Sequence, residues 1–144
     1  MTAKPDEATT SAWIALMRAQ RRAMSLVEAR LKEAELPPLS WYDALWELEK
    51  AGQQGLRPFE LEKALLFEQY NLSRLAERLV SAGLVERCEC PNDRRGQVLK
   101  ITPEGRALRH RMWAVYGPAI AEVVGARLGA GEAEALAALL RKLD

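Results

Sequence analysis

The sequence predicts a mainly α fold with a β wing (α+β): a winged helix-turn-helix set between long N- and C-terminal helices. Three observations lead there. Apolar residues recur at helical spacing through most of the chain. Two β-like runs follow the fourth helical segment, separated by a turn rich in Pro, Asn, Asp and Gly. The middle of the chain is also basic while both ends are mildly acidic. Residues 1–69 carry 9 basic and 11 acidic side chains, residues 70–111 carry 9 and 5, and residues 112–144 carry 3 and 4. In a chain whose net charge is +1, that basic middle suggests a local anion-binding surface.

At 144 residues, with 49% hydrophobic and 28% charged side chains, the chain has the size and balance of one globular domain. A disordered segment is excluded. Residues 1–7 are polar and lack the apolar stretch of a secretion signal. No run approaches the roughly 18 apolar residues of a membrane span. Cys88 and Cys90 are too few for a disulfide framework. A cytoplasmic protein that makes no use of a membrane is expected.

The first helix is expected over residues 7–35, with Trp13, Leu16, Met17, Met24, Val27 and Leu31 on its apolar stripe. Thr9, Thr10 and Ser11 offer caps, and Pro37-Pro38 ends the pattern. Ser40 then caps a second helix through Trp41, Leu45, Trp46 and Leu48, which stops near Gly52 and Gly55. Pro58 suits the first turn of a third helix through Leu61, Leu65 and Leu66. After a break at residues 67–69, a fourth helix turns Leu72, Leu75, Leu79 and Val80 inward and ends at Gly83. The β-like runs are residues 84–90 and 97–101, with the charged tip 91–96 between them. Thr102 as N-cap and Pro103 at the first helical position open a fifth helix, which Gly117-Pro118 should bend or interrupt. Apolar residues resume at Ile120, Val123, Val124 and Leu128, and Gly129 to Gly131 set off a last helix with Leu136, Leu139, Leu140 and Leu143.

Two short helices, a tight turn and a hairpin make a module whose second helix faces a DNA major groove. Starting that helix at Gln69 exposes Gln69, Tyr70, Asn71, Ser73, Arg74 and Arg78. Gln and Asn pair bidentately with adenine and Arg with guanine, while Ser and Tyr hydroxyls bind phosphate. Arg94 and Arg95 at the hairpin tip suit a narrow minor groove, where the potential is most negative. Order and spacing together favour double-stranded DNA as partner over a merely solvated helix face and charged turn.

Four segments carry a family resemblance: Leu72-Ser73-Arg74-Leu75-Ala76-Glu77-Arg78-Leu79, Gly83-Leu84-Val85-Glu86-Arg87, Asp93-Arg94-Arg95 and Ile101-Thr102-Pro103-Glu104-Gly105-Arg106. In this order they resemble the MarR family of bacterial transcriptional regulators, and Ser40-Trp41-Tyr42-Asp43-Ala44-Leu45 resembles the second helix of many members. The likeness runs from about residue 10 to the end, so that residues 1–144 form one MarR-like domain. Residues 37–103 would be the DNA-binding part, and residues 7–36 and 104–144 the dimerisation helices. The resemblance implies a homodimeric regulator, typically a repressor, on a pseudo-palindromic operator. It gives Ser73, Arg74 and Arg78 to the recognition helix, Asp93 to orienting an arginine, and Arg94 or Arg95 to the minor groove. It also implies a small aromatic or phenolic effector, for which Trp13, Arg18, Trp41, Tyr42, Trp46, Trp113 and Tyr116 are candidates. Arg21 and Arg22, like Arg18, suit an effector carboxylate. The chain departs from the family pattern at Glu68, Arg57 and Phe59, which affects the register on DNA rather than the module.

The remaining chemistry-bearing residues point to packing. Cys88 and Cys90 lie two apart on a strand and share a face, a geometry that strains a disulfide. With His110 they lack a fourth zinc ligand, so no metal and no cofactor is expected. His110 stands in an Arg-rich stretch without a nucleophile or carboxylate pair, which argues against an enzyme. The aromatic residues at helical spacing have core packing as their simplest role. The competing class is a winged-helix module that docks another protein and never touches DNA.

Overall fold

The computed structural model describes residues 2–69, 71–90 and 93–144; the side chains of residues 90 and 93–95 lie outside that description. The helices are α1 (Glu7–Glu33), α2 (Leu39–Ala51), α3 (Pro58–Ala64), α4 (Leu72–Ser81), α5 (Pro103–Ile120) and α6 (Glu132–Arg141). Two strands, β1 (Val85–Cys90) and β2 (Asp93–Ile101), form an antiparallel wing. The fold is therefore mainly α with a β wing, as the periodicity predicts. None of the helices is long and apolar enough to cross a membrane.

The chain divides into two compact units. One comprises Leu31–Val115, and the other Met1–Arg30 with Tyr116–Asp144. The first contains the winged module. Its core is a continuous apolar set in which Leu31, Leu39, Leu45, Leu48, Leu61, Leu79, Leu99 and Met112 are almost wholly buried. α2 is the spine of this unit. Residue 42 and residues 44, 45 and 48 are buried on one face, the 3.6-residue repeat that a packed helix requires.

Strand pairing runs from Val85 opposite Ile101 to Glu89 opposite Gln97, then slips by a bulge so that Cys90 faces Asp93. Leu56 adds a short third rung by exchanging backbone hydrogen bonds with Leu99, at 3.0 and 2.7 Å. Gly55 makes this approach possible. Its φ is +66°, and a Cβ there would sit 2.5 Å from the Leu99 carbonyl oxygen.

Local signals place several boundaries where the sequence puts them. Pro58 opens α3, and Gly83 (φ +77°) ends the turn after α4. Thr102 caps α5: its Oγ1 accepts from the Gly105 N–H at 3.1 Å and donates to the Gly83 carbonyl at 2.7 Å.

Five expectations are corrected. The cap of α1 is supplied by Asp6, whose Oδ1 accepts from the Thr9 N–H at 2.7 Å; Thr9, Thr10 and Ser11 lie inside the helix. Ser40 is also inside its helix, because α2 begins at Leu39 behind Pro38. α3 stops at Ala64, leaving Leu65 and Leu66 in the turn. β2 begins at Asp93 rather than residue 97: Asp93 pairs with Cys90, and the register shift before Gln97 carries residues 94–96 within the strand. Gly117-Pro118 does not interrupt α5, which continues to Ile120 before a wider π turn at Ala121–Gly125. The widened turn falls just after Pro118, whose missing N–H removes one rung of the helical ladder.

Candidate nucleic-acid interface

α3, the turn after it and α4 form the helix-turn-helix. α4 buries Leu75, Ala76 and Leu79 and leaves Ser73, Arg74, Glu77 and Arg78 exposed. Amphipathicity alone thus orients the helix, with both arginines on the outer face. Its start differs from the sequence expectation. Asn71 is the N-cap, its Oδ1 accepting from the Arg74 N–H at 3.0 Å. Gln69 therefore precedes the helix and is half-buried, and Tyr70 lies outside the described residues. The expected helix start at 69 moves to 72, where the Asn71 cap satisfies one of the first free amides of α4. Glu68 is exposed in the turn, off α4 itself.

What holds this turn is a residue that the sequence reading did not single out. Asp43, on α2, is only 5% exposed. Its Oδ1 accepts from the Leu66 N–H at 3.0 Å and its Oδ2 from the Phe67 N–H at 2.8 Å. Burial pushes the Asp43 carboxyl up from its ordinary range, against the downward pull of those two amides. A charged residue on the buried face of an apolar helix was the available clue.

Beside α4, Trp41 lines a groove with Arg74, Glu77, Arg78, Ser81 and Ala82. On the wing, Asp93, Arg94 and Arg95 occupy the first positions of β2 by backbone, while their side chains lie outside the described residues. Cys88 is half-buried on β1, and the side chain of Cys90 is likewise outside them. Among the described residues no His, Cys, Asp and Glu cluster of metal-binding type occurs.

The candidate effector residues fall into separate groups. Tyr42 and Trp113 stack with ring centroids 6.1 Å apart. The Arg109 guanidinium lies 5.0 Å over the Trp46 ring, and its Nε donates to Glu49 Oε1 at 3.0 Å. Burial raises the Tyr42 phenol above its usual range, with Arg109 pulling the other way. For Arg109 burial works against the charge, but Glu49 and Tyr42 outweigh it and raise the guanidinium. Trp41 is not in this cluster but in the groove beside α4. His110 is exposed in a shallow hollow with Arg106, Arg109, Arg111 and Glu49.

The other unit contains Trp13, Arg18 and Tyr116. Trp13 is exposed and Tyr116 buried. Arg18 lines a cleft with Arg21, Arg22, Ser25, Glu122 and Arg127. Glu122 is engaged by Arg30 at 3.1 Å, which leaves the cleft strongly cationic. The same unit exposes Trp13, Ile14, Met17, Ile120, Leu136, Leu139, Leu140 and Leu143.

Comparison with known proteins agrees with this geometry. A family profile described as MarR family matches residues 35–96. The multiple antibiotic resistance protein MarR of Escherichia coli K12 is 35% identical over 88 residues, 61% of this chain and 61% of its own length. A mutant of E. coli MarR, solved with operator DNA, superposes with a TM-score of 0.81 at 26% identity, covering 98% of this chain and 99% of that one. Sco3205, a MarR family transcriptional regulator from Streptomyces coelicolor solved with DNA, gives 0.88 at 24% identity, covering 99% and 89%. BpsR of Bordetella bronchiseptica, whose DNA binding is regulated by 6-hydroxynicotinic acid, gives 0.82 at 25% identity, covering 97% of each chain.

Proposed function

We propose that this chain, whose residues 35–96 match a MarR family profile, is a sequence-specific DNA-binding transcriptional regulator. In this reading it acts as a homodimeric repressor on a pseudo-palindromic operator. The observation that carries the proposal is the Asn71-capped helix α4, which exposes Ser73, Arg74 and Arg78 on its outer face directly ahead of a two-stranded wing. Arg74 and Arg78 supply the guanine-reading and phosphate-binding chemistry, and Arg94 or Arg95 the minor-groove contact. Asp93 orients one of those arginines. The operator-bound E. coli relative supports the DNA partner.

The homodimer reading is supported by the exposed apolar residues of α1 and α6, among them Trp13, Ile14, Met17, Leu136, Leu139 and Leu140, which a second protomer would cover. A two-fold pair presents two recognition helices about 34 Å apart, one turn of DNA. Effector control is supported by the regulation of BpsR by an aromatic acid, and by the cationic cleft of Arg18, Arg21, Arg22 and Arg127, which suits a carboxylate. An effector that favours a non-binding spacing by about 1.4 kcal/mol lowers affinity tenfold.

The test is a titration against the DNA upstream of its own gene at several salt concentrations, with and without a panel of aromatic acids. Affinity should fall with salt at a slope of about −0.9 per neutralised phosphate, and at least one acid should weaken it. Salt-insensitive absence of binding would instead favour a module that docks protein.

A further inference from the structure

We infer that Asp43 is a positioning residue for DNA recognition: its buried carboxylate ties the turn ahead of α4 to α2 and thereby sets where the reading face is presented. The inference rests on the DNA-binding reading above. One oxygen takes the Leu66 N–H at 3.0 Å and the other the Phe67 N–H at 2.8 Å. Two successive amides held by two oxygens of one group fix the orientation of the intervening peptide plane as well as its location. The fixed point is strategic. It follows Leu65, where the chain leaves α3 with ψ of 137°, and comes shortly before Asn71 caps α4.

Burial fixes this turn only in part: Leu65 and Phe67 are half-buried, whereas Leu66 is 72% exposed. An anion on the packed face of α2 is costly, and two charge-assisted hydrogen bonds are the compensation the structure provides. Asp43 itself is buried behind the turn, so it acts on DNA only through α4. Its neighbours on α2, Tyr42 and Trp46, belong to the Arg109 cluster, so one helix carries both the clamp and that aromatic network.

The experiment compares wild type with Asp43→Asn, which keeps the size and one acceptor oxygen, and Asp43→Ala, which keeps neither. Affinities are measured for the protein's own upstream fragment and for a scrambled duplex of equal length, and amide exchange is followed at Leu66 and Phe67. The ratio of the two affinities should fall about tenfold in the Asn variant and further in the Ala variant. Binding to the scrambled duplex should stay within about twofold, because the phosphate-binding cations remain. Protection should be lost at Leu66 and Phe67 while Leu45 and Leu48 keep theirs. Should the Ala variant fail to fold, the Asn variant decides. A folded Asn variant with an unchanged ratio overturns the inference alone, since a merely structural role lowers the melting temperature without touching discrimination. Wild type that binds neither duplex overturns the regulator reading and this inference together.

Discussion

The two units of the chain use their apolar residues in opposite ways. In Leu31–Val115 the leucines of α2, α3 and α4 and the valines and leucines of the wing are turned inward, and Leu45 and Leu48 have no measurable exposure. In Met1–Arg30 with Tyr116–Asp144, only Val27, Tyr116 and Ala119 are buried among the described apolar residues. α6 buries nothing, although Leu136, Leu139 and Leu140, with Leu143 just beyond its end, recur at i, i+3, i+4 and i+7. Periodicity of this kind costs nothing to explain if a second protomer covers it. The lesson is that helical amphipathicity reports a buried face without saying which chain buries it.

The sharpest way to break that comparison is to charge the bare helix. Leu139→Glu should leave the fold of Leu31–Val115 intact and dissociate the proposed homodimer. Across a two-fold interface each leucine counts twice, so the loss is about 3–6 kcal/mol of association free energy. Sedimentation velocity should show a monomer at concentrations where wild type is a dimer, with operator affinity falling alongside. A variant that sediments like wild type would remove α6 from the interface.

The complementary perturbation targets the closed unit. Gly105 is buried at the start of α5, and a Cβ there would collide with the backbone carbonyl of Leu84 and press on Ile101. Backbone cannot rotate away as a side chain can, so Gly105→Ala should destabilise the unit by about 3 kcal/mol. Urea unfolding measures this directly. A different response is expected from α6: Leu139→Glu should remove the association contribution, and with it the dependence of the urea midpoint on protein concentration.

That contrast also separates what the sequence discloses from what it withholds. Boundaries set by a few neighbouring residues were legible: Pro58, Gly83 and the Thr102-Pro103 start act through local backbone geometry. Boundaries set by competition were not. Gln69 and Asn71 are compatible with helix, but Asn71 caps α4 and both stand outside it. Residues 93–96 have turn composition, yet β2 begins at Asp93, which pairs with Cys90 across the bulge. Pro118 should break a helix, but the wider turn that follows accommodates it. Asp43 was the hardest to foresee, because its partners lie 23 and 24 residues away and a lone carboxylate on an apolar stripe does not announce them. The exposed positions Ser73, Arg74 and Arg78 were legible because the α4 pattern alone points them outward.

Within the closed unit, function and stability should also come apart. Arg74→Ala removes an exposed side chain that buries nothing, so unfolding should be nearly unchanged while operator affinity drops by about 1–3 kcal/mol if Arg74 reads a base. Competition binding against single-base operator variants checks the assignment. Specificity should relax at one position and persist at the others. A uniform loss across all variants would make Arg74 a phosphate contact.

The smallest effect expected concerns pH, and its sign follows from burial. Tyr42 has its phenol raised above the ordinary 10.0, chiefly because folding removes it from water. Between the unfolded and folded values the native state holds more protons than the unfolded chain, so stability declines as pH rises through that interval. Below pH 10 both states are protonated and the group contributes no slope. Tyr42→Phe eliminates the titration together with the hydrogen bond to Arg109, so the variant should start from a lower stability near pH 8 and decline less steeply above pH 10. Urea midpoints at the two pH values give the difference directly, and the constant loss of the hydrogen bond cancels from the slope. Parallel declines in wild type and variant would mean that the phenol is better solvated than its place between Trp113 and Arg109 implies.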